Sequence, residues 1–166
     1  MPRSSKIASA IVGLTLIVGL YGLWNQDTRR INRRLAALVK LANKMPVEMQ
    51  LRGVAKARSI ATFFAEPFEL IAEPENFASS NRQDLIRSVV AYRSRAGSLA
   101  VEVVRKELFV DSGNATATHY ALVRFVVDFG DLVGSDSYPV QIEWVEESGE
   151  WKIRKLEILR EESDAL

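Results

Sequence analysis

Residues Ala115–Phe129 read ATATHYALVRFVVDF. Their side chains alternate. One set is Ala115, Ala117, His119, Ala121, Val123, Phe125 and Val127; the other is Thr116, Thr118, Tyr120, Leu122, Arg124, Val126 and Asp128. Unbroken alternation of this length predicts a long strand with one buried face. A slip of one residue would exchange the two faces, so the register is strongly specified. The first set is nearly all apolar and is expected to turn inward, with His119 as its one polar member and the single His of the chain.

Working outward, period two persists on both sides. Ser98–Val110, Tyr138–Glu146 and Trp151–Leu159 are three further strand candidates. Asp111-Ser112-Gly113-Asn114 and Glu147-Ser148-Gly149-Glu150 have the turn residues of hairpins. The stretch Gly130–Ser137 reads as a longer, glycine-bearing link. Upstream, Gly97 stops a helix that Asn81 caps, with Asp84 in its first turn and Leu85, Ile86, Val89, Val90 and Tyr92 following. Pro67–Ala72, PFELIA, suits a short strand or a helical turn. Val47–Phe64 reads as another helix. Helices followed by an antiparallel meander give an α+β domain, with helices on one face of a curved antiparallel sheet.

Residues Ile7–Trp24 carry no charge over 18 positions. As a helix they would extend about 27 Å, near the thickness of a thin bilayer core. Tyr21 and Trp24 fall where amphipathic rings suit the headgroup layer. The exit region lacks the small-residue pair of a signal-peptide cleavage site. The expectation is an uncleaved transmembrane helix at residues 7–24, behind a short tail at 1–6. Lys and Arg after the span favour a cytoplasmic domain, whereas a basic leader running into an apolar segment favours export. The membrane face therefore stays open.

Residues 25–45 form a basic amphipathic helix carrying Arg29, Arg30, Arg33 and Arg34. Ile31, Leu35, Leu38, Ala42 and Met45 are spaced 4, 3, 4 and 3. Such a stripe packs on its own domain, lies along the membrane, or joins two copies through residues 31–45. No aromatics interleave the arginines to stack on bases, so nucleic acid is not an expected partner. Residues 1–44 sum to +7 and residues 45–166 to −6, which hides behind a total of +1. The acidic domain is expected to stand off an anionic bilayer while the arm is drawn to it.

Together, PFELIA, the helix opening NRQDLIRSVVAY at Asn81–Tyr92 and the strand GEWKIRKLEIL at Gly149–Leu159 occur in an order that resembles the nuclear transport factor 2-like superfamily. That superfamily includes SnoaL-like cyclases and ketosteroid isomerase. The resemblance spans about Pro46 to Arg160 and implies a cone-shaped sheet wrapped on helices, with a pocket at its wide end. The domain is accordingly bounded at 46–166. A short tail, one span and such a domain is also the layout of bacterial assembly factors of type IV secretion.

Fold does not give function. Tyr92, His119, Phe125 and Trp144 are the pocket candidates, and no catalytic residue is assigned. His119 is either a satisfied buried histidine or an acid, base or ligand contact. Tyr120, Leu122, Arg124 and Val126 form a half-apolar outer surface, the candidate for a homodimer interface. With no Cys and one His, no cofactor and no metal site is expected. The sequence Asp128-Phe129-Gly130 spells a kinase magnesium motif without the rest of a kinase. The expected function is a non-enzymatic scaffold or interaction protein, single-pass in a bacterial inner membrane. The alternative is a tethered SnoaL-like domain that binds or transforms a small apolar molecule.

Overall fold

The computed structural model describes residues 26–74 and 76–160. A first helix, α1, occupies residues 26–42. It is followed by α2 (Gln50–Ala61), β1 (Phe64–Ala72), β2 (Phe77–Ser79) and α3 (Arg82–Arg95). Four strands complete the fold: β3 (Ser98–Asp111), β4 (Thr116–Asp128), β5 (Val133–Glu147) and β6 (Glu150–Ile158). The span expected at residues 7–24 lies outside the described residues. Among the described residues, no helix is long and apolar enough to cross a membrane.

The six strands form one curved sheet in the order β2-β1-β6-β5-β4-β3. Strands β3 to β6 are the expected antiparallel meander. The sheet is nonetheless mixed, because β1 runs parallel to β6, Phe64 opposite Ile153 and Ala72 opposite Ile158. That corrects the wholly antiparallel expectation. PFELIA is the second part of β1, and β2 pairs with it as a three-residue strand that no periodicity announces.

Two boundaries also differ. The expected link Gly130–Ser137 is mostly strand, since β5 begins at Val133 opposite Asp128 and stays paired to β4 as far as Val145. Gly134, Ser135, Asp136 and Ser137 are poor strand formers, but the long ladder of β4 supplies their hydrogen bonds. The expected helix Val47–Phe64 is shorter, Gln50–Ala61, because Phe64 is already in β1.

The face assignment of β4 holds. Ala117, His119, Ala121, Val123 and Val127 are buried, with Phe125 half-buried, while Tyr120 and Arg124 are exposed. These inward residues join Trp144 of β5, Trp151 and Ile153 of β6, and Phe64 and Phe68 of β1 in one core. From α1, Ile31 and Leu35 enter the same core and are buried. The first half of the stripe is thus spent inside the chain, while Met45 at its end is exposed.

Candidate functional site

The concave face of the sheet brings His119 of β4 against Trp144 of β5. The register explains the meeting: Ala117 lies opposite Trp144 and His119 opposite Ile142, so the two rings are diagonal neighbours on one face. The Trp144 indole Nε1–H donates to His119 Nδ1 at 3.1 Å, with the rings edge to face at 6.0 Å. Accepting at Nδ1 places the imidazole proton on Nε2. Nε2 is buried and has no hydrogen-bond partner among the described residues. Burial, reinforced by the charge of Lys106, pushes the His119 pKa down to about 4. The imidazole is therefore neutral at physiological pH, a weak base with one donor to offer.

A pH dependence follows. The unfolded chain takes up a proton near 6.5 and the folded chain only near 4. Stability is full above pH 6.5, falls as the pH drops towards 4, and is flat below it; the loss is about 2–3 kcal/mol. His119→Gln keeps an acceptor for Trp144 without titrating. Thermal midpoints measured from pH 7 to pH 4 should fall less in this variant than in the parent, and parallel curves would count against a buried, titrating His119.

The helix α1 packs on the same core. At its start, Trp151 Nε1 donates to Asp27 at 3.3 Å. Arg30 donates to Glu146 at 3.2 Å and to the Gly149 carbonyl at 2.5 Å. Arg34 lies 4.8 Å from the Phe63 ring centroid and 3.8 Å from Glu150. Lys106 reaches Asn32 at 2.6 Å. Of the four arginines, Arg30 and Arg34 thus clasp the β5–β6 hairpin, while Arg29 and Arg33 face solvent.

Of the other two pocket candidates, Tyr92 lies elsewhere, whereas Phe125 packs against the main core. Tyr92, near the end of α3, is exposed and meets Phe129 edge-on at 6.2 Å. Phe125 packs beside Tyr138, centroids 6.1 Å apart, and lies between the main core and the small cluster of Ala96, Leu99 and Val127. The structure therefore joins His119 to Trp144 but sets Tyr92 apart from them. On the outer face, Tyr120 meets Phe109 at 6.1 Å and Arg124 pairs with Glu102 at 3.5 Å. Leu122 and Val126 are half-buried there.

The sequence reading missed a buried polar cluster. Arg93 of α3 is 3% exposed. Its guanidinium donates to the carbonyls of Leu41, Ala42 and Asn43 at 3.3, 2.6 and 3.1 Å and to Glu48 at 2.5 Å. Lys56 holds the second Glu48 oxygen at 2.5 Å. Lys44 donates to the carbonyls of Arg93 and Ala96. Burial alone would raise the Glu48 carboxyl, but the hydrogen bonds and charges of Arg93 and Lys56 outweigh it and hold the carboxyl below its usual value. The available signal was phase: Leu85, Val89 and Arg93 fall on one helical stripe.

Two open grooves lie outside the cone. One of about 530 Å³ is lined by Glu66, Asn81, Arg82 and Ile86 among others. The other, about 430 Å³, is bordered by Ile71, Phe77 and Arg160. No three His, Asp or Glu side chains converge to hold a metal among the described residues.

No protein-family model matches the sequence, and no curated protein does. Solved structures do match. A nuclear transport factor 2-like protein with a cystatin-like fold from Novosphingobium aromaticivorans superposes with a TM-score of 0.66 at 14% identity, covering 99% of this chain and 94% of that one. A candidate scytalone dehydratase from the same organism gives 0.63 at 15% identity, covering 80% and 82%. Aln2 from a Streptomyces species gives 0.64 at 12% identity, covering 81% and 91%. The described chain thus has the α+β fold, with a curved mixed sheet, of nuclear transport factor 2-like and cystatin-like proteins.

Proposed function

We propose that the chain is a membrane-anchored, non-enzymatic interaction protein whose cone is a packed support for its surfaces. The observation that carries this reading is the closure of the concave side. The α1 residues Ile31 and Leu35 are buried in the same core as Trp144, and His119 is fully buried and bonded to Trp144. A catalytic base must reach a substrate proton directly or through one water, and a fully covered imidazole with a pKa near 4 is poorly placed for that.

In this reading residues 7–24 hold the chain in a bacterial inner membrane. The α1 start, tied to the β5–β6 hairpin by Asp27 and Arg30, sets which end of the domain faces the bilayer. The exposed Arg29 and Arg33 lie at that end, where anionic headgroups would attract them. The outer sheet face around Tyr120, Leu122 and Val126 pairs two copies. Leu122→Arg should then lower the mass seen by light scattering while circular dichroism stays unchanged. An unaltered mass would remove the sheet from the proposal.

A second reading rests on His119 Nε2, a buried donor with nothing to bond among the described residues. A small apolar molecule with one acceptor could pair with it if α1 moved aside, and the candidate scytalone dehydratase among the neighbours belongs with this idea. Saturable uptake of a naphthol probe by the parent, absent in His119→Gln, would replace the first reading with this one.

A further inference from the structure

The two sides of α1 differ in character. Ile31 and Leu35, with half-buried Leu38, turn into the core. Arg29, Arg33, Ala36 and Lys40 are spaced 4, 3 and 4, which places them in one stripe on the opposite side of the helix. All four are exposed. Arg30 and Arg34 are taken up by Glu146, the Gly149 carbonyl and Glu150. No ion pair engages Arg29, Arg33 or Lys40 among the described residues. The one acid of α1, Asp27, bonds to Trp151. Residues 45–166 have a net charge of −6, yet these three cations sit on the side of α1 turned from the core.

The sequence around the stripe favours one partner for it. The 18 uncharged residues Ile7–Trp24 end five positions before Arg29. With those residues in a bilayer, a tether holds the stripe at high effective concentration beside the headgroups. Each basic side chain near an anionic surface then contributes roughly five-fold, and three together on the order of a hundred-fold. The acids of the domain oppose this weakly. A helix with its side chains is about 10–12 Å across, whereas the screening length in physiological salt is about 8 Å. Acids beyond α1 are therefore largely screened from a surface that touches the stripe. Because Ile31 and Leu35 are in the core and Arg30 and Arg34 clasp the β5–β6 hairpin, α1 cannot turn towards a surface without turning the domain.

We propose that α1 lies along an anionic bilayer surface, with Arg29, Arg33 and Lys40 in the headgroup layer, so that anionic phospholipid sets the pose of the whole domain. The proposal rests on the membrane anchor of the preceding reading. It extends lipid contact from the start of α1 to Lys40, about 16 Å further along the helix than Arg29. On neutral lipid the stripe has nothing to hold it down, and the domain stands off the surface.

The chain has no Cys, so Ala36→Cys, exposed and within the stripe, accepts a single nitroxide label. The full chain is reconstituted in vesicles of phosphatidylcholine alone, or mixed with phosphatidylglycerol, each carrying a nickel chelate on a trace lipid headgroup. Relaxation of the nitroxide by nickel should be strong in the mixed vesicles and weak in the neutral ones, and it should fall in molar salt. Arg29→Gln, Arg33→Gln and Lys40→Gln together should abolish the difference between the vesicles while circular dichroism stays unchanged. Equal relaxation in the two vesicles, or a triple variant that behaves as the parent, overturns the proposal and leaves the stripe to solvent or to an acidic protein. Flotation scores the anchor separately. A chain that fails to float with neutral vesicles in molar salt has no anchor. The stripe then stands only if the chain floats with the mixed vesicles at low salt and the triple variant does not.

Discussion

A chain beginning at Pro46 is expected not to fold, whereas one beginning at Asn25 should give a soluble, cooperative domain. The resemblance placed the domain start at Pro46, but α1 contributes Ile31 and Leu35 to the same core as Trp144 and Ile153. Losing one such buried side chain typically costs about 2–5 kcal/mol. Removing both, with half-buried Leu38 and Leu41 and the Asp27–Trp151 bond, approaches the whole stability of a typical domain, about 5–15 kcal/mol. It would also open the core that holds Trp144. Denaturant unfolding of the two truncated forms decides the matter. A sigmoidal transition in the shorter form would show that α1 is dispensable. Membrane release on deleting Met1–Trp24, in the same preparation, tests the anchor.

The second large effect is expected at Arg93. Arg93→Met leaves Glu48 buried with Lys56 as its remaining cation and strips a donor from three carbonyls at the end of α1. Breaking a buried pair from one side costs about 3–5 kcal/mol, which at this size lowers the thermal midpoint by on the order of 10 °C or more. Adding Glu48→Met should recover part of the loss, because apolar replacement of both partners is often near neutral. The sign with pH is set by the carboxylate. Glu48 titrates below its ordinary 4.5 when folded, so the pair's full contribution is present above that pH and fades as the pH falls through the folded value. The parent should thus lose its advantage over Arg93→Met in acid. A single variant within about 1 kcal/mol of the parent would mean that the cluster is solvated in solution.

The meander and its inward face were legible because β4 is long and alternates without a break. The hairpin turns were legible from Ser-Gly-Asn and Ser-Gly at fixed places. What escaped was set by distant partners. β2 is three residues, Phe-Ala-Ser, with no room for a period to show. The early part of β5 holds Gly, Ser and Asp, kept as strand by β4 and not by their own preference. The parallel pairing of β1 with β6 joins segments far apart in the chain. The candidate site was legible only as a list. His119 and Trp144 face inward by parity alone, but their hydrogen bond needs the register of β4 against β5. The clasp of Arg30 and Arg34 on the hairpin needs the place of α1, which a stripe of apolar residues does not specify.

The place of β6 in the sheet has a consequence for biosynthesis. It is the last strand of the described chain, yet it sits between β1 and β5. As the polypeptide leaves a ribosome, β1 must wait for its neighbour while everything from Ala72 to Glu150 is made, roughly 4–15 s at ordinary elongation rates. During that interval the apolar inner side of β1, with Phe64 and Phe68, has no partner on that flank. The nascent chain is then a natural client for holding chaperones, and a message cut short before Trp151 would yield two half-sheets with no strand to join them.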